Sequence, residues 1–101
     1  MEIAIHENDA CFFVVVTGEL DAISVKEFKK KLFQLAHFSD KDIEIDLSNL
    51  DYIESSGVGV LVSLFKMQKN KGKKLKIDKV SKKVLNVLNL SSLSDAINLS
   101  S

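Results

Sequence analysis

Apolar and polar residues follow two distinct patterns at the start of the chain, and both predict strands. Residues 2–6 (EIAIH) alternate with a period of two, which is typical of a strand with one buried face. Residues 11–18 (CFFVVVTG) are β-branched, aromatic and almost continuously apolar, which favours a more central strand. The turn-forming residues ENDA separate the two stretches, so we expect a hairpin.

The apolar spacing then changes to that of a helix. After Ser24, apolar residues recur every three or four positions up to residue 38, and Ser24 and Glu27 have the spacing of a helix-capping box. The patterns downstream predict strands at 42–47, 75–80 and 95–100, and helices at 56–70 and 81–90, the last capped by Ser81. The resulting order, β-β-α-β-α-β-α-β, predicts an α/β fold: a mixed sheet of about four or five strands with three or more helices packed against it.

The composition is that of one small folded domain. With 101 residues, of which 46% are hydrophobic, the chain can bury a core as a single domain over residues 1–101. No stretch approaches the roughly 18 apolar residues of a membrane span, and the N-terminus lacks the pattern of a secretory signal. Cys11, the only cysteine, lies in an apolar run and is expected to be a buried small hydrophobe. We therefore expect a cytoplasmic protein with no membrane insertion.

Charge is divided unevenly along the chain. Residues 1–54 hold five Lys and twelve Asp or Glu, a net charge of −7, whereas residues 55–101 carry +7. The lysines cluster in residues 66–83, a pattern that fits a nucleic-acid surface or, more often, a solvated helix end and loop. The chain has no Arg for bidentate recognition of phosphate or guanine, so direct nucleic-acid binding is not expected.

Two loops follow predicted strands and lead into predicted helices: residues 18–24 (GELDAIS) and 48–59 (SNLDYIESSGVG). The carboxyl ends of parallel strands are the usual functional edge of an α/β sheet. The second loop contains Ser55 and Ser56 where a helix begins. Such serines can cap the helix, or they can be a place where charge is added or where a nucleophile acts.

Catalysis, nucleotide binding and metal binding have little support. A serine nucleophile needs a base, and the only histidines, His6 and His37, fall in a first strand and at a helix end. The Gly57-Val58-Gly59 stretch is neither a nucleophile elbow nor a complete phosphate-binding loop. The carboxylates are scattered. We expect no enzyme activity, no cofactor and no metal site.

Three stretches of the chain carry a resemblance to a known family. They are TGELDAISVKEF, IEIDLSNLDYIESSGVGVLVSL and GKKLKIDKVSKKVLNVLNLSSLSDAINL, and they cover almost the whole sequence in the correct order. Together they resemble a STAS domain, more narrowly the bacterial anti-sigma factor antagonists. The most specific part is the Ser-Ser-Gly-aliphatic-Gly stretch that follows an acidic residue. That residue is commonly Asp in the family and is Glu54 here.

The resemblance implies a partner-switching protein that acts as a monomer or weak dimer. Family members bind an anti-sigma factor that is also a serine kinase of the GHKL type, and this binding frees the sigma factor. Phosphorylation of the second serine of the pair, here Ser56, releases the partner, and a PP2C-type phosphatase restores binding. The implied partner-binding residues are Glu19, Asp21, Ser24, Glu54, Ser55, Ser56, Gly57 and Val58.

Elementary electrostatics is consistent with a switch at Ser56. A helix N-terminus tolerates an added phosphate, because its unpaired N–H groups and dipole favour an anion. The phosphate adds about −1.5 to −2 charge, and near Asp21 and Glu54 it would repel a partner shaped for a neutral serine. Two alternatives remain open at this stage. In the first, the serine pair serves only as a cap; in the second, the domain is a scaffold or regulatory subunit of a sensory or transporter complex that does not use serine phosphorylation.

Overall fold

The computed structural model describes residues 1–88 and the backbone of Ile97 and Asn98. Along these residues strands and helices follow one another in the order β1 (Glu2–Glu7), β2 (Cys11–Leu20), α1 (Val25–Phe38), β3 (Asp42–Asp46), β4 (Leu50–Ile53), α2 (Ser55–Asn70), β5 (Leu75–Asp78), α3 (Lys82–Leu88) and β6 (Ile97–Asn98). The remaining parts of the predicted helix 81–90 and of the predicted strand 95–100 lie outside the described residues.

The strands form one mixed sheet in the order β1-β2-β3-β5-β6, with β4 beside β2. The hairpin β1–β2 is antiparallel, and the pairs β2–β3, β3–β5 and β5–β6 are parallel. The Asn8 side chain closes the hairpin, because its Oδ1 accepts the N–H groups of Ala10 at 2.9 Å and Cys11 at 2.8 Å. The predicted α/β class, with a mixed sheet and packed helices, is confirmed.

Strand β4 is an addition to the predicted order, since residues 48–59 were expected to form a loop. It is four residues long with burial at both ends and exposure between, so it lacks the alternation by which strands are recognised. It forms because β2 is ten residues long. The first half of β2 pairs with β3 and its last residues pair with β4, with an irregularity between Gly18 and Glu19. Gly18 has φ of +100°, a conformation that glycine adopts readily.

The hydrophobic core lies between one face of the sheet and the helices. Alternate residues of the parallel strands point into it, including Val14, Val16, Ile43 and Ile45, and they meet apolar residues spaced along α1 and α2, including Phe28, Leu32, Ala36, Leu61 and Leu64. The helical spacing that predicted α1 and α2 is therefore the spacing of their buried faces.

Several smaller predictions can be compared directly with the described residues. Cys11 is buried as expected, with 8% exposure, and burial raises the pKa of its thiol because the thiolate is poorly solvated there. Ser81 caps α3, since its hydroxyl accepts the Val84 N–H at 3.3 Å. No helix among the described residues combines the length and apolar character that a membrane crossing requires.

Candidate functional site

Strands β2 and β4 end side by side, and this brings the two predicted loops together. Leu20 pairs with Ile53 at the end of the two strands, and the Glu54 N–H donates to the Leu20 carbonyl oxygen at 2.9 Å. Asp21 and Glu54 each follow directly after a paired residue. The edge of the sheet that the sequence predicted to be functional is therefore held together by backbone hydrogen bonds between β2 and β4. The first loop leads from this edge into α1, and the second leads into α2.

The turn that leads into α1 is organised by Asp21. Its carboxylate oxygen Oδ1 accepts the N–H groups of Ile23 at 3.0 Å and Ser24 at 2.9 Å. The Ser24 hydroxyl lies 3.0 Å from that same oxygen and 3.0 Å from the Glu19 carbonyl oxygen, and it accepts the Asp21 N–H at 3.0 Å. The Ser24 N–H, followed by the Ser24 hydroxyl, holds the pKa of the Asp21 carboxyl below its ordinary value.

The predicted capping box at the start of α1 is wrong. Ser24 is already in a helical conformation and its side chain makes no capping bond. Glu27 pairs with Lys31 one turn later at 3.2 Å instead of turning back. Asp21 binds the N–H groups of Ile23 and Ser24 in the turn before the helix, and the Ser24 hydroxyl bonds back into that turn instead of to the first N–H groups of α1.

The serine pair lies at the start of α2 and caps nothing. Glu54 is the N-cap residue, with an extended backbone and no side-chain capping bond. The first N–H groups bonded in this helix are those of Gly57 and Val58, which both donate to the Glu54 carbonyl oxygen, at 2.9 and 3.1 Å. Ser55 and Ser56 are exposed, and within the described residues neither their N–H groups nor their hydroxyls have a hydrogen-bond partner. The site therefore offers free hydroxyls beside free backbone donors.

The two glycines after the serines differ in their surroundings. Gly57 is buried, and a Cβ there would lie 3.0 Å from Ile53 Cγ1 and 3.5 Å from Leu20 Cβ. Its lack of a side chain therefore lets α2 pack closely on the ends of β2 and β4. Gly59 is exposed with open space around its Cα, and Val58 between them is half-buried. Of the two, Gly59 is the one that leaves room at the surface.

A groove of about 480 Å³ runs between α1 and α2, and Ser56 lies on its wall. Its lining is Val25, Lys26, Lys29 and Phe33 from α1, and Ser56, Gly59, Val60 and Ser63 from α2. Sequence reasoning did not include Lys26 and Lys29 among the site residues. Their helical spacing could have placed them on one face of α1, but nothing in the sequence shows that this face meets α2.

Tyr52 is a third residue near the site that was not among the predicted site residues. It pairs with Glu19 across β2 and β4 and is 41% exposed. Glu19 is exposed as well. The predicted residues Glu19, Asp21, Ser24, Glu54, Ser55 and Ser56 thus occupy one edge of the molecule.

Comparison with known proteins identifies the family of this chain. Residues 2–101 match the family model of the STAS domain. The chain belongs to the STAS domain family. The anti-sigma-B factor antagonist of Bacillus subtilis (strain 168) is 31% identical over 100 residues, covering 99% of this chain and 91% of the relative. The family and the antagonist type that the sequence resembled are both confirmed.

Solved STAS structures share the fold. The anti-sigma factor antagonist SpoIIAA in its unphosphorylated form superposes with a TM-score of 0.79 at 15% identity, covering 99% of this chain and 90% of that one. The Bacillus cell fate determinant SpoIIAA in its phosphorylated form gives a TM-score of 0.80 at 17% identity, covering 96% and 89%. At these identities the likeness concerns the fold alone.

Proposed function

We propose that this protein is an anti-sigma factor antagonist whose partner binding is controlled by phosphorylation of Ser56. In this proposal the unphosphorylated protein binds an anti-sigma factor that is also a GHKL-type serine kinase, through the edge that contains Glu19, Asp21, Ser24 and residues 54–58. Phosphorylation of Ser56 releases the partner, and a PP2C-type phosphatase reverses the change. The names of the sequence relatives support the class of function, and the geometry of the edge supports the switch.

The observation that carries the proposal is the state of the Ser56 hydroxyl. It is exposed and has no hydrogen-bond partner in the described residues, so a kinase can reach it without first breaking a structural bond. A serine that capped α2 would lose about 1 kcal/mol of stabilisation when its hydroxyl was blocked. Because neither serine caps the helix, phosphorylation carries no such cost here.

The same position explains why binding can fail while the fold survives. A phosphate at the beginning of a helix lies where the helix dipole and unpaired N–H groups favour negative charge. For a partner that packs on this edge, however, the phosphate would be a bulky charged group to be buried. Burying a charged phosphate is far more costly than burying a neutral hydroxyl. The relatives are named for regulation and not for a reaction, and the proposed role is likewise binding without catalysis.

Two matched experiments test the proposal. In the first, each GHKL-type serine kinase of the source organism is incubated with ATP and with wild type, Ser55→Ala or Ser56→Ala. We expect one kinase to add a single phosphate to wild type and Ser55→Ala and none to Ser56→Ala. Trypsin has no cleavage site between Lys41 and Lys66, so peptide fragmentation must distinguish Ser55 from Ser56.

In the second experiment, the affinity for that kinase is measured by calorimetry without ATP. Ser56→Ala should bind within a few-fold of wild type, because it adds no charge. Ser56→Asp should bind at least tenfold more weakly, since its carboxylate has to weaken binding by only about 1.4 kcal/mol to cause a tenfold change. Equal binding by both variants would refute the switch. It would instead favour the scaffold of a sensory or transporter complex.

A further inference from the structure

The groove between α1 and α2 joins the proposed phosphorylation site to two cationic side chains. Lys26 and Lys29 of α1 and Ser56 of α2 line the same space of about 480 Å³. Val25, Phe33 and Val60 supply apolar wall, and Gly59 leaves the surface of α2 open beside Ser56. A group attached to the Ser56 hydroxyl can therefore extend into the groove towards the two lysines.

Both lysines are available to such a group. The ion pairs found among the described residues join Lys31 to Glu27, Lys41 to Glu7 and Lys71 to Asp40, and none involves Lys26 or Lys29. The Lys29 ammonium lies 5.5 Å from the centre of the Phe33 ring, so one of the charges rests against the groove wall.

The acidic residues of the edge do not line this groove. The Asp21 carboxylate is held by the N–H groups of Ile23 and Ser24 in its own turn, and Glu54 lies before α2 begins. The lining residues include two cations and no anion. The groove therefore favours a negative group, although the sequence around Ser56 is acidic.

We propose that the phosphate on Ser56 lies in the α1–α2 groove and binds Lys26 and Lys29. This proposal rests on the phosphorylation of Ser56 proposed above and specifies how the phosphate acts. A phosphoserine offers three strong acceptor oxygens, and two ammonium groups can bind them together. The bound phosphate fills the Ser56 end of the groove. It thus removes a surface from the partner in addition to introducing charge.

The ionisation of the phosphate itself reports its surroundings. Phosphoserine is installed at position 56 during translation, so that no kinase is needed, and its second pKa is measured by ³¹P NMR titration at low salt. A unit charge about 6 Å away shifts a pKa by about half a unit even at the dielectric constant of water. Nearby lysines lower the pKa of the phosphate, whereas nearby carboxylates raise it.

We expect the second pKa of the wild-type phosphoserine to lie below about 6, its ordinary value. The double variant Lys26→Gln with Lys29→Gln should raise it by about half a unit or more. Lys30→Gln is the matched control, since Lys30 is an exposed lysine of α1 that does not line the groove. It should change the pKa much less. All three lysines are on the surface, so the variants should fold.

Two results would overturn the inference: a wild-type pKa at or above the ordinary value, or equal values in the double variant and Lys30→Gln. The titration involves no partner, so it is independent of the proposed function. A lowered pKa in a phosphorylated protein that still binds its kinase would refute the switch and leave the groove assignment intact. A phosphate pKa at its ordinary value, in a protein that loses its partner on phosphorylation, would refute the groove assignment and leave the switch intact.

Discussion

The Glu54 N–H donates a hydrogen bond to the Leu20 carbonyl oxygen at 2.9 Å. This bond follows directly after the pairing of Leu20 with Ile53 and fixes the ends of β2 and β4 relative to each other. The loop of Asp21 and the start of α2 are therefore held together by the backbone, whichever side chains they carry. A switch at Ser56 can work on a preformed edge, and only the chemistry of the serine needs to change.

The first prediction concerns Glu54, where the family commonly has Asp. Glu54 occupies the N-cap position of α2 in an extended conformation without a capping bond. Asp is among the best N-cap residues because its shorter side chain reaches the N–H of the second or third helical residue. The Ser56 N–H is such a donor and has no partner among the described residues. Glu54→Asp should therefore raise the free energy of unfolding by about 0.5–1 kcal/mol, measured by urea denaturation.

Glu54→Ala is the control for this prediction. Since the Glu54 side chain makes no capping bond, its removal should change the free energy of unfolding by less than about 0.5 kcal/mol. A loss of 1 kcal/mol or more in Glu54→Ala would mean that the glutamate already caps α2 in solution. An unchanged stability in Glu54→Asp would mean that the carboxylate does not reach the free N–H.

The second prediction compares the two glycines of α2. Alanine is about 1 kcal/mol more favourable than glycine inside a helix. Gly59 has open space around its Cα, so Gly59→Ala should stabilise the protein by about 0.5–1 kcal/mol. At Gly57 a Cβ would lie 3.0 Å from Cγ1 of Ile53, which is only 4% exposed and cannot easily move away. Gly57→Ala should therefore destabilise the protein by about 1 kcal/mol.

Urea denaturation of both variants against wild type measures this difference. The helix position and the added methyl group are nearly the same in the two variants, so the comparison isolates the contact with β4. If Gly57→Ala were as stabilising as Gly59→Ala, α2 would have to lie farther from Ile53 than the structure places it.

Much of this fold could be predicted because its main elements have regular apolar spacing. The buried residues Phe28, Leu32 and Ala36 recur at four-residue intervals, and Val14 and Val16 alternate along β2. Strand β4 could not be recognised in this way. Its two exposed residues lie between two buried ones. Its pairing partner is the end of β2, and this contact exists only once the sheet is assembled.

The site shows the same division between local and long-range information. Ser56 could be found because a motif surrounds it in the sequence. Lys26 and Lys29 lie about thirty positions earlier on another helix and join Ser56 only when α1 packs on α2.

Gln68, at the other end of α2, also makes long-range contacts: it is fully buried and donates to the carbonyl oxygens of Lys41 and Lys74, at 2.9 and 3.0 Å. Its sequence neighbours gave no sign of either bond.

The third prediction concerns the carboxyl of Asp21. Hydrogen bonds to its ionised form, chiefly from the Ser24 N–H and then from the Ser24 hydroxyl, lower its pKa. Ser24→Ala removes the hydroxyl and leaves the N–H. We therefore expect the pKa of Asp21, followed by NMR of its carboxyl carbon, to rise towards the ordinary value without fully reaching it. Ser48→Ala is the matched control, because the Ser48 hydroxyl bonds Asp46 at 2.7 Å and not Asp21.

The lowered pKa also predicts how stability depends on pH. Because the folded protein holds the ionised form of Asp21, this carboxyl contributes stability above the pKa of the unfolded chain, about 3.9. The contribution is lost as the pH falls through the lower pKa of the folded protein.

Asp21→Asn keeps the shape of the side chain and carries no charge. The difference in free energy of unfolding between wild type and Asp21→Asn should therefore be constant near neutral pH and shift against wild type below about pH 4. A difference that stayed constant down to pH 2 would show that the Asp21 carboxyl titrates alike in the folded and unfolded chains, and that the turn before α1 does not depend on its charge.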